Sequence, residues 1–204
     1  MENITINLEN LTEKERTKLF ELLAKGKKLG LPKVENGETF KIGDIEFIKI
    51  ADNDDVTTVM TKEAIFESDF GNNNNLANRK ILDRLESEFL PKIIAEIGEE
   101  NILDFETDLT TLDGAKTYGT ITSKVSLPTL DFYREHIEIF DKYKLDSWYW
   151  LATPWSALPH YNSSSILCVS PSGYFYYDYG NCKYGVRPIL RFVSSIFVSS
   201  HNDE

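Results

Sequence analysis

The chain has 204 residues, 41% hydrophobic and 27% charged, which suits one globular domain with or without a small appendage and excludes a disordered tail. Its 22 Lys+Arg against 33 Asp+Glu give a formal net charge of −11, which disfavours nucleic-acid binding because a duplex carries one negative charge per roughly 1.7 Å. No apolar stretch approaches the ~20 residues of a membrane span, and the opening segment lacks a signal peptide's basic start and apolar core, so we expect a cytoplasmic protein.

The first predicted element is an N-terminal helix. Thr12 and Glu15 have the spacing of a capping box, the leucines of KLFELL recur at helical spacing, and Gly26 marks the end. We assign residues 1–35 to an N-terminal helical leader. Residues 36–204 form one α+β domain in this interpretation.

The next stretch predicts three antiparallel strands and a kinked helix. The runs TFKI, IEFIKI and VTTVM are separated by turn residues at Gly43 and in the acidic run 52–55. Residues 76–90 then show helical spacing, and Pro91 ends or kinks that helix before the pattern resumes and stops at Gly98.

The second half predicts mainly strands. Residues 100–119 are polar and turn-rich, with short strands expected near Leu109 and over 120–123, followed by a short helix over 130–140. The runs WYWLAT, SILCVS, YFYYDY and VRPILRF predict a meander of strands. Pro188 cannot donate to a ladder, so the last run should be an edge strand or contain a bulge.

Charge and aromatic residues divide the domain into two parts. Four acidic and three basic residues follow residue 145, so −10 of the −11 net charge belongs to the first 145 residues. We therefore distinguish an acidic, helical part over 36–145 from an aromatic, strand-rich part over 146–204. The stretch between them is half apolar, which indicates two parts of one core rather than two domains.

The order WYWLATP, SILCVSPSGYFYY, YGVRPIL resembles the C-terminal signature of a family of phage, prophage and Gram-positive bacterial proteins, whose function is not established. That signature is a WWLR-S/T-P run, a valine-rich strand, a turn with an aromatic strand and a closing GVRPAL. GETFKIGDIEFIKI and NRKILDRLESEFLPKI resemble its opening hairpin and helix, so the likeness covers about residues 36–192. The family resembles the formylglycine-generating-enzyme type of C-type lectin fold, which implies a mixed sheet with flanking helices.

Four residues near the C-terminal signature are expected to be structural. Gly185 suits a bulge or a position with positive φ. Arg187 is expected to tie loop carbonyls together rather than bind a ligand, and the resemblance implies an interior place for it. Trp148 and Trp150 alternate along a strand, so they share one face and belong to the core.

Catalytic and metal-binding patterns are missing from the sequence. The enzymes of the resembled fold work through cysteines or copper, but Cys168 and Cys182 are not expected to be adjacent and suit buried, inert thiols better than reactive ones. The three histidines stand in no metal-ligand or catalytic spacing. We expect a non-enzymatic protein without metal or cofactor.

Two candidate binding surfaces remain, each with a purely structural alternative. The aromatic surface either covers a wide aromatic core or forms an adaptable contact surface. The acidic surface is either a solvated face or a set of carboxylates that mimic phosphates towards a basic protein. The aromatic surface consists of Trp155, His160, Tyr161, Tyr177 and Tyr179, and the acidic surface of Glu99, Glu100, Asp104, Glu106 and Asp108.

These expectations define two functional hypotheses for a binding protein. The first is a phage or prophage accessory protein that binds a basic host protein, such as a nucleic-acid-binding defence nuclease, in the manner of an anti-CRISPR inhibitor. The alternative is a receptor- or carbohydrate-binding module that uses the aromatic surface. A degenerate oxidase on the enzyme-like fold is a third hypothesis.

Overall fold

The computed structural model describes residues 12–13, 28–158 and 163–200. Within these ranges the chain is a mixed α+β structure that is mostly β-sheet, as the predicted class requires. The N-terminal helix predicted from Thr12 to Gly26 lies almost wholly outside the described residues, as do His160 and Tyr161. Among the described residues, none of the helices has the length and apolar character needed to cross a membrane.

The helices are short, and strands make up most of the regular secondary structure. The strands are β1 (Lys28–Gly30), β2 (Thr39–Ile42), β3 (Ile45–Asn53), β4 (Val56–Thr61), β5 (Phe66–Asp69), β6 (Ile102–Leu103), β7 (Phe105–Asp108), β8 (Thr120–Ser123), β9 (Val125–Ser126), β10 (Tyr149–Pro154), β11 (Ser165–Val169), β12 (Phe175–Tyr179), β13 (Lys183–Val186), β14 (Ile189–Val193) and β15 (Phe197–Ser200). The α-helices are α1 (Lys80–Arg84), α2 (Leu90–Ile97), α3 (Leu130–Glu135) and α4 (Ile137–Lys142).

The strands form two main sheets and one two-stranded sheet. The large sheet has the order β1-β15-β2-β3-β4-β14-β6, with β9 also paired to β14. The second sheet has the order β12-β11-β10-β13-β5, in which only β10 and β13 are parallel. The small sheet pairs β7 with β8. Strand β12 is therefore an edge strand of the second sheet.

The predicted hairpins β2–β3 and β3–β4 are confirmed with the turns where the sequence placed them. Strand β15 follows the last predicted strand and pairs with β1 and β2. Leu31 and Val34 are buried, and the Lys49 ammonium donates to both of their carbonyls, at 3.2 and 2.7 Å. The folded unit therefore extends into the stretch that the sequence assigned to the leader.

The helix does not end at Pro91, and a π turn precedes the proline. The five residues Leu85–Phe89 form a single π turn between α1 and α2, and Leu90 N–H donates to Leu85 O. The wider turn shifts the hydrogen-bond ladder immediately before Pro91, which has no N–H to donate. The helix then continues until Gly98, whose φ of 85° ends it. The helix predicted over 130–140 is likewise interrupted, at His136, into α3 and α4.

The structure alters two expectations for the C-terminal signature. Of the two alternatives for the last run, the edge strand is wrong, because β14 lies inside the large sheet. The strand pairing is instead interrupted at Arg187 and Pro188, where the chain passes from the second sheet to the large one. Gly185 lies in a regular strand pairing without positive φ. A Cβ at Gly185 would meet Ala64 Cβ at 2.9 Å and Trp148 O at 3.2 Å, so the requirement is close approach rather than backbone freedom.

The core consists of two hydrophobic clusters, and both sheets contribute to each of them. The larger cluster includes α1, the π turn and α2, where the Phe47 ring lies 6.5 Å from Phe89 and 6.0 Å from Phe192. The smaller cluster joins α3 and α4 to both sheets, with Tyr133 and Phe140 at 4.1 Å. Burial of each such side chain stabilises the fold by roughly 1.5–3 kcal/mol. The α3–α4 layer is therefore firmly attached beside β12.

Candidate functional site

Two adjoining depressions lie beside α3. The first, called here the threonine groove, has a volume of about 540 Å³ and is lined by parts of β4, β7, β14 and α3. The second, the aromatic pocket, has a volume of about 360 Å³. They share a wall made of Leu112, Leu130 and Arg134. The rest of the pocket is lined by Trp155, Leu167, Phe175, Tyr176 and Tyr177.

Strand β7 supplies the acidic wall of the threonine groove. Its alternation buries Phe105 and Thr107 and exposes Glu106 and Asp108, as expected of a half-buried strand. The Thr110 hydroxyl and N–H donate to Asp108 Oδ1 at 2.6 and 2.8 Å, and they hold the pKa of that carboxyl below its ordinary value. Asp108 is therefore ionised and fixed in orientation.

The loop between β7 and β8 is anchored from below by a fully buried asparagine. Asn74 Nδ2 donates to Ser156 O at 2.8 Å and to Ser165 O at 3.0 Å, while Asn74 Oδ1 accepts from the Tyr118 hydroxyl at 2.8 Å. Leu112 N–H donates to Pro154 O at 2.8 Å, at the end of β10. These bonds fix Leu112 on the shared wall, where its side chain is 40% exposed.

Helix α3 completes the shared wall. Thr129 caps its first turn by accepting from Phe132 N–H at 3.1 Å, and Leu130 N–H donates to Thr153 Oγ1 at 2.8 Å. Arg134 lies one turn later and pairs with Asp131 at 3.3 Å on the surface. The groove as a whole has four carboxylates, Glu106, Asp108, Asp131 and Glu135, against two guanidinium groups, Arg134 and Arg191. Its local charge is therefore negative.

The aromatic pocket is built from exposed rings of β12 that pack on less exposed aromatic neighbours. Trp155 and Tyr177 have ring centroids 4.1 Å apart, and Phe175 lies 4.7 Å from Tyr133 of α3. Tyr177 is 50% exposed. A pocket with apolar walls and half-exposed aromatic side chains loses little entropy on binding and is typical of a contact surface. The pocket is therefore the best-formed apolar part of the site.

Some residues of each surface predicted from the sequence lie on either side of the shared wall, and the others lie elsewhere. Trp155 and Tyr177 line the pocket, and Glu106 and Asp108 line the groove. Tyr179 lies in a separate shallow depression with Gly71 and Gly180. The other aromatic candidates, His160 and Tyr161, lie outside the described residues.

The acidic series is divided rather than continuous. Glu99 and Glu100 are exposed on a 3-10 turn after α2, and Asp104 lies 3.9 Å from Lys124. None of these three residues is part of the threonine groove. Of the acidic surface predicted over 99–108, the threonine groove therefore contains Glu106 and Asp108 only.

The tryptophans and the arginine of the signature lie in the interior. Trp150 is fully buried and donates to Ser68 O at 2.9 Å, while Trp148 is half-buried; their rings lie 4.6 and 5.6 Å from Tyr184. Arg187 is fully buried, its Nε donates to Thr61 O at 2.9 Å, and its guanidinium lies 5.6 Å from the Tyr149 ring centroid. These residues support the walls of the site without lining it.

Cys168 pairs with Tyr176 across β11 and β12, as the turn at 171–173 predicts, and both thiols interact with the Asp178 carboxylate. Burial raises the pKa of Cys168 to about 12, and the charges of Asp178 and Cys182 add to the effect. Partial burial and a hydrogen bond to Asp178 raise the pKa of Cys182. Both are free thiols, and both are poor nucleophiles at neutral pH.

Several residues of the site were not singled out from the sequence. Arg134, Leu112 and Phe105 line it, yet each belongs to a segment with no motif. The one available signal is Leu112, an apolar residue in the polar run TTLDG. Arg134 could not be found, because its place depends on how α3 packs against β10 and β12.

No group of three or more His, Cys, Asp or Glu side chains within the described residues is arranged to hold a metal ion. No protein-family model, curated protein or solved structure matches the chain. The proposed function therefore rests on the geometry of the groove and the pocket.

Proposed function

We propose that this chain is a non-enzymatic phage or prophage accessory protein that binds a basic segment of a host protein. The observation that supports the proposal is the shared wall at Arg134, which brings the acidic groove and the aromatic pocket together. A segment that enters both would place an apolar side chain in the pocket and basic side chains over the carboxylates of the groove.

The chemistry of the two depressions favours this division. The pocket contains Arg134 and otherwise apolar or aromatic side chains, so an apolar anchor fits it better than a second cation. Central, desolvated anchors of this kind supply most of the energy at typical interfaces. The exposed carboxylates of Glu106 and Glu135 suit lysine or arginine at the rim, where charge acts mainly on the association rate.

The charge of the whole molecule points to the same class of partner. A net charge of −11 attracts basic proteins over long range and repels nucleic acid. A defence nuclease has a basic surface for its nucleic acid, and carboxylates can occupy that surface in place of phosphates. We therefore propose an inhibitor of such a nuclease, acting in the cytoplasm of the host cell.

The proposal also includes a fold of the C-type-lectin and formylglycine-generating-enzyme kind. Two features support it: the segment YGVRPIL passes from one sheet into the other, and Arg187 packs inside against Tyr149 and Phe140. The closing strand and its interior arginine are the features that the sequence resemblance implies.

Carbohydrate binding is a second candidate, favoured by the hydroxyl groups of the groove. Six threonines line it; the hydroxyls of Thr107, Thr110 and Thr111 already donate within the protein, and those of the other three can donate to a sugar. The six are Thr58, Thr107, Thr110, Thr111, Thr129 and Thr153. Binding of this kind would be nearly insensitive to salt, whereas binding of a basic protein would not.

Affinity capture from a bacterial host lysate at about 50 mM and about 500 mM salt tests the proposal. The wild-type protein and Phe197→Ala, which removes an exposed ring on β15, should retain the same basic protein at low salt only. Trp155→Ala combined with Tyr177→Ala should lose it. Retention by all three proteins would contradict the proposed site, and salt-insensitive binding of an oligosaccharide, lost in the double variant, would favour the second candidate.

A further inference from the structure

We infer that the partner binds as an extended strand added to the outer edge of β12, with alternate side chains entering the aromatic pocket. This inference rests on the proposed function, because it specifies how the basic segment is held. Strand addition combines backbone hydrogen bonds, which supply affinity, with pockets for alternate side chains, which supply specificity.

The register of β12 shows which backbone groups face outward. Ser170 N–H donates to Tyr174 O at 3.0 Å and Gly180 N–H donates to Ser164 O at 3.0 Å, so the even-numbered residues of this strand face β11. In an antiparallel ladder the intervening residues direct their N–H and C=O to the other side. The backbone groups of Phe175 and Tyr177 therefore point away from the sheet.

The open part of the edge is short and well defined. Tyr179 N–H donates to Asp178 Oδ1 at 2.7 Å, and Tyr179 O accepts from Cys182 N–H at 3.0 Å, so the edge is closed at that end. No other described strand pairs with β12 on its outer side. The N–H and C=O of Phe175 and Tyr177 are thus four groups available to an added strand.

The open part of the β12 edge, from Phe175 to Tyr177, lacks the features that protect an exposed edge. Proteins usually block such edges with lysine, proline, a bulge or an inward-pointing charge. Here Phe175, Tyr176 and Tyr177 are 37–52% exposed, the pairing with β11 is regular, and the one charge, Asp178, accepts from Tyr184 at 2.6 Å. An unprotected aromatic edge of this kind is suited to strand addition.

The two faces of the edge define the chemistry of the occupant. Phe175 and Tyr177 contact Tyr133 and Trp155 on the pocket side, where an added strand would place apolar side chains. On the opposite face, Tyr174 is 68% exposed and offers its ring to a cation. Because the acidic groove adjoins the pocket, the occupant is an extended segment whose alternate apolar side chains face the pocket and whose continuation towards the groove is basic.

A labelled peptide of about ten residues, in which valines at alternate positions are followed by a run of arginines, is the probe, with binding measured by fluorescence anisotropy. Tyr177→Ala removes the ring and keeps the N–H, whereas Tyr177→Pro removes both. Because that N–H faces outward, proline should leave the pairing with β11 intact. We expect Tyr177→Ala to weaken binding several-fold and Tyr177→Pro to weaken it at least tenfold further, at equal melting temperature.

A second measurement keeps the inference testable if Tyr177→Pro fails to fold. The same peptide N-methylated at alternate residues keeps every side chain but cannot complete the ladder, so it should bind at least tenfold more weakly. Equal binding of both peptides, or equal weakening by alanine and proline, would overturn strand addition.

The proposed function would survive that result if Trp155→Ala still weakened binding, and it would fail if the unmodified peptide did not bind. A wild-type dimer that Tyr177→Pro converts to monomer would show that the occupant is a second copy, which also overturns the inference.

Discussion

At the scale of single residues, Asp178 connects the aromatic edge to the interior. Burial alone would raise its pKa, but the hydrogen bonds donated by Tyr184, the Tyr179 N–H and Cys182 hold that pKa below the ordinary value. The same carboxylate contributes to the raised pKa values of Tyr184 and Cys182. One ionised group thus fixes the end of β12 and the turn that follows.

Asp178 should make stability depend on pH in the acidic range. A carboxyl whose folded pKa lies below its unfolded value of about 3.9 stabilises the fold above that pH, and this stabilisation is lost as pH falls through the folded pKa. Asp178→Asn should cost about 1 kcal/mol at pH 7 and flatten the pH dependence below about pH 4. Urea unfolding from about pH 3 to 7 measures both effects. An unchanged pH profile in the variant would show that Asp178 makes no such contribution.

The thiols should react slowly in the folded protein. Since burial raises the pKa of both, and that of Cys168 to about 12, the thiolate fraction at pH 8 is small. Alkylation of native protein should leave Cys168 unlabelled over the time in which a free thiol reacts fully. Denatured, unreduced protein should take up two labels by intact mass. Rapid native labelling of Cys168, or no label after denaturation, would contradict this assignment.

At the scale of elements, Gly185 marks the tight contact between β13, β10 and the chain before β5. Gly185→Ala should destabilise the protein by about 1–3 kcal/mol, because the new Cβ would lie 2.9 Å from Ala64 Cβ and 3.2 Å from Trp148 O. Gly30→Ala is the matched control, since its Cβ would meet only Pro32 Cδ at 3.8 Å with φ at −63°. Chemical denaturation of both variants measures the difference, and equal stabilities would contradict the close-approach explanation.

Local sequence patterns predicted which segments form strands and helices better than they predicted which strands pair with one another. The hairpins of β2 to β4 follow from alternation and turn residues, and an irregular helix around Pro91 follows from its missing N–H. The central place of β14 and the pairing of β1 with β15 depend on contacts between distant segments, for which periodicity gives no signal. The same holds for the site, where tyrosine and carboxylate positions were indicated but Arg134 and the division at Asp104 were not.

For the molecule as a whole, we propose that a basic segment binds at the groove and not through diffuse charge. Glu106 and Glu135 are exposed groove residues, and Glu99 and Glu100 are exposed residues outside it. Replacing either pair by lysine changes the net charge by the same four units, from −11 to −7. Asp108 is left in place because it fixes the turn at Thr110.

The most direct measurement is the affinity and association rate of the valine–arginine peptide for these two variants at low salt. Glu106→Lys with Glu135→Lys should weaken binding about tenfold or more, mainly through slower association, whereas Glu99→Lys with Glu100→Lys should change it by no more than about twofold. Melting temperatures of both should stay near that of the wild type, since exposed substitutions usually cost within about 0.5 kcal/mol each. Equal weakening by the two pairs would contradict the claim, because it would mean that net charge, and not the groove beside Arg134, attracts the peptide.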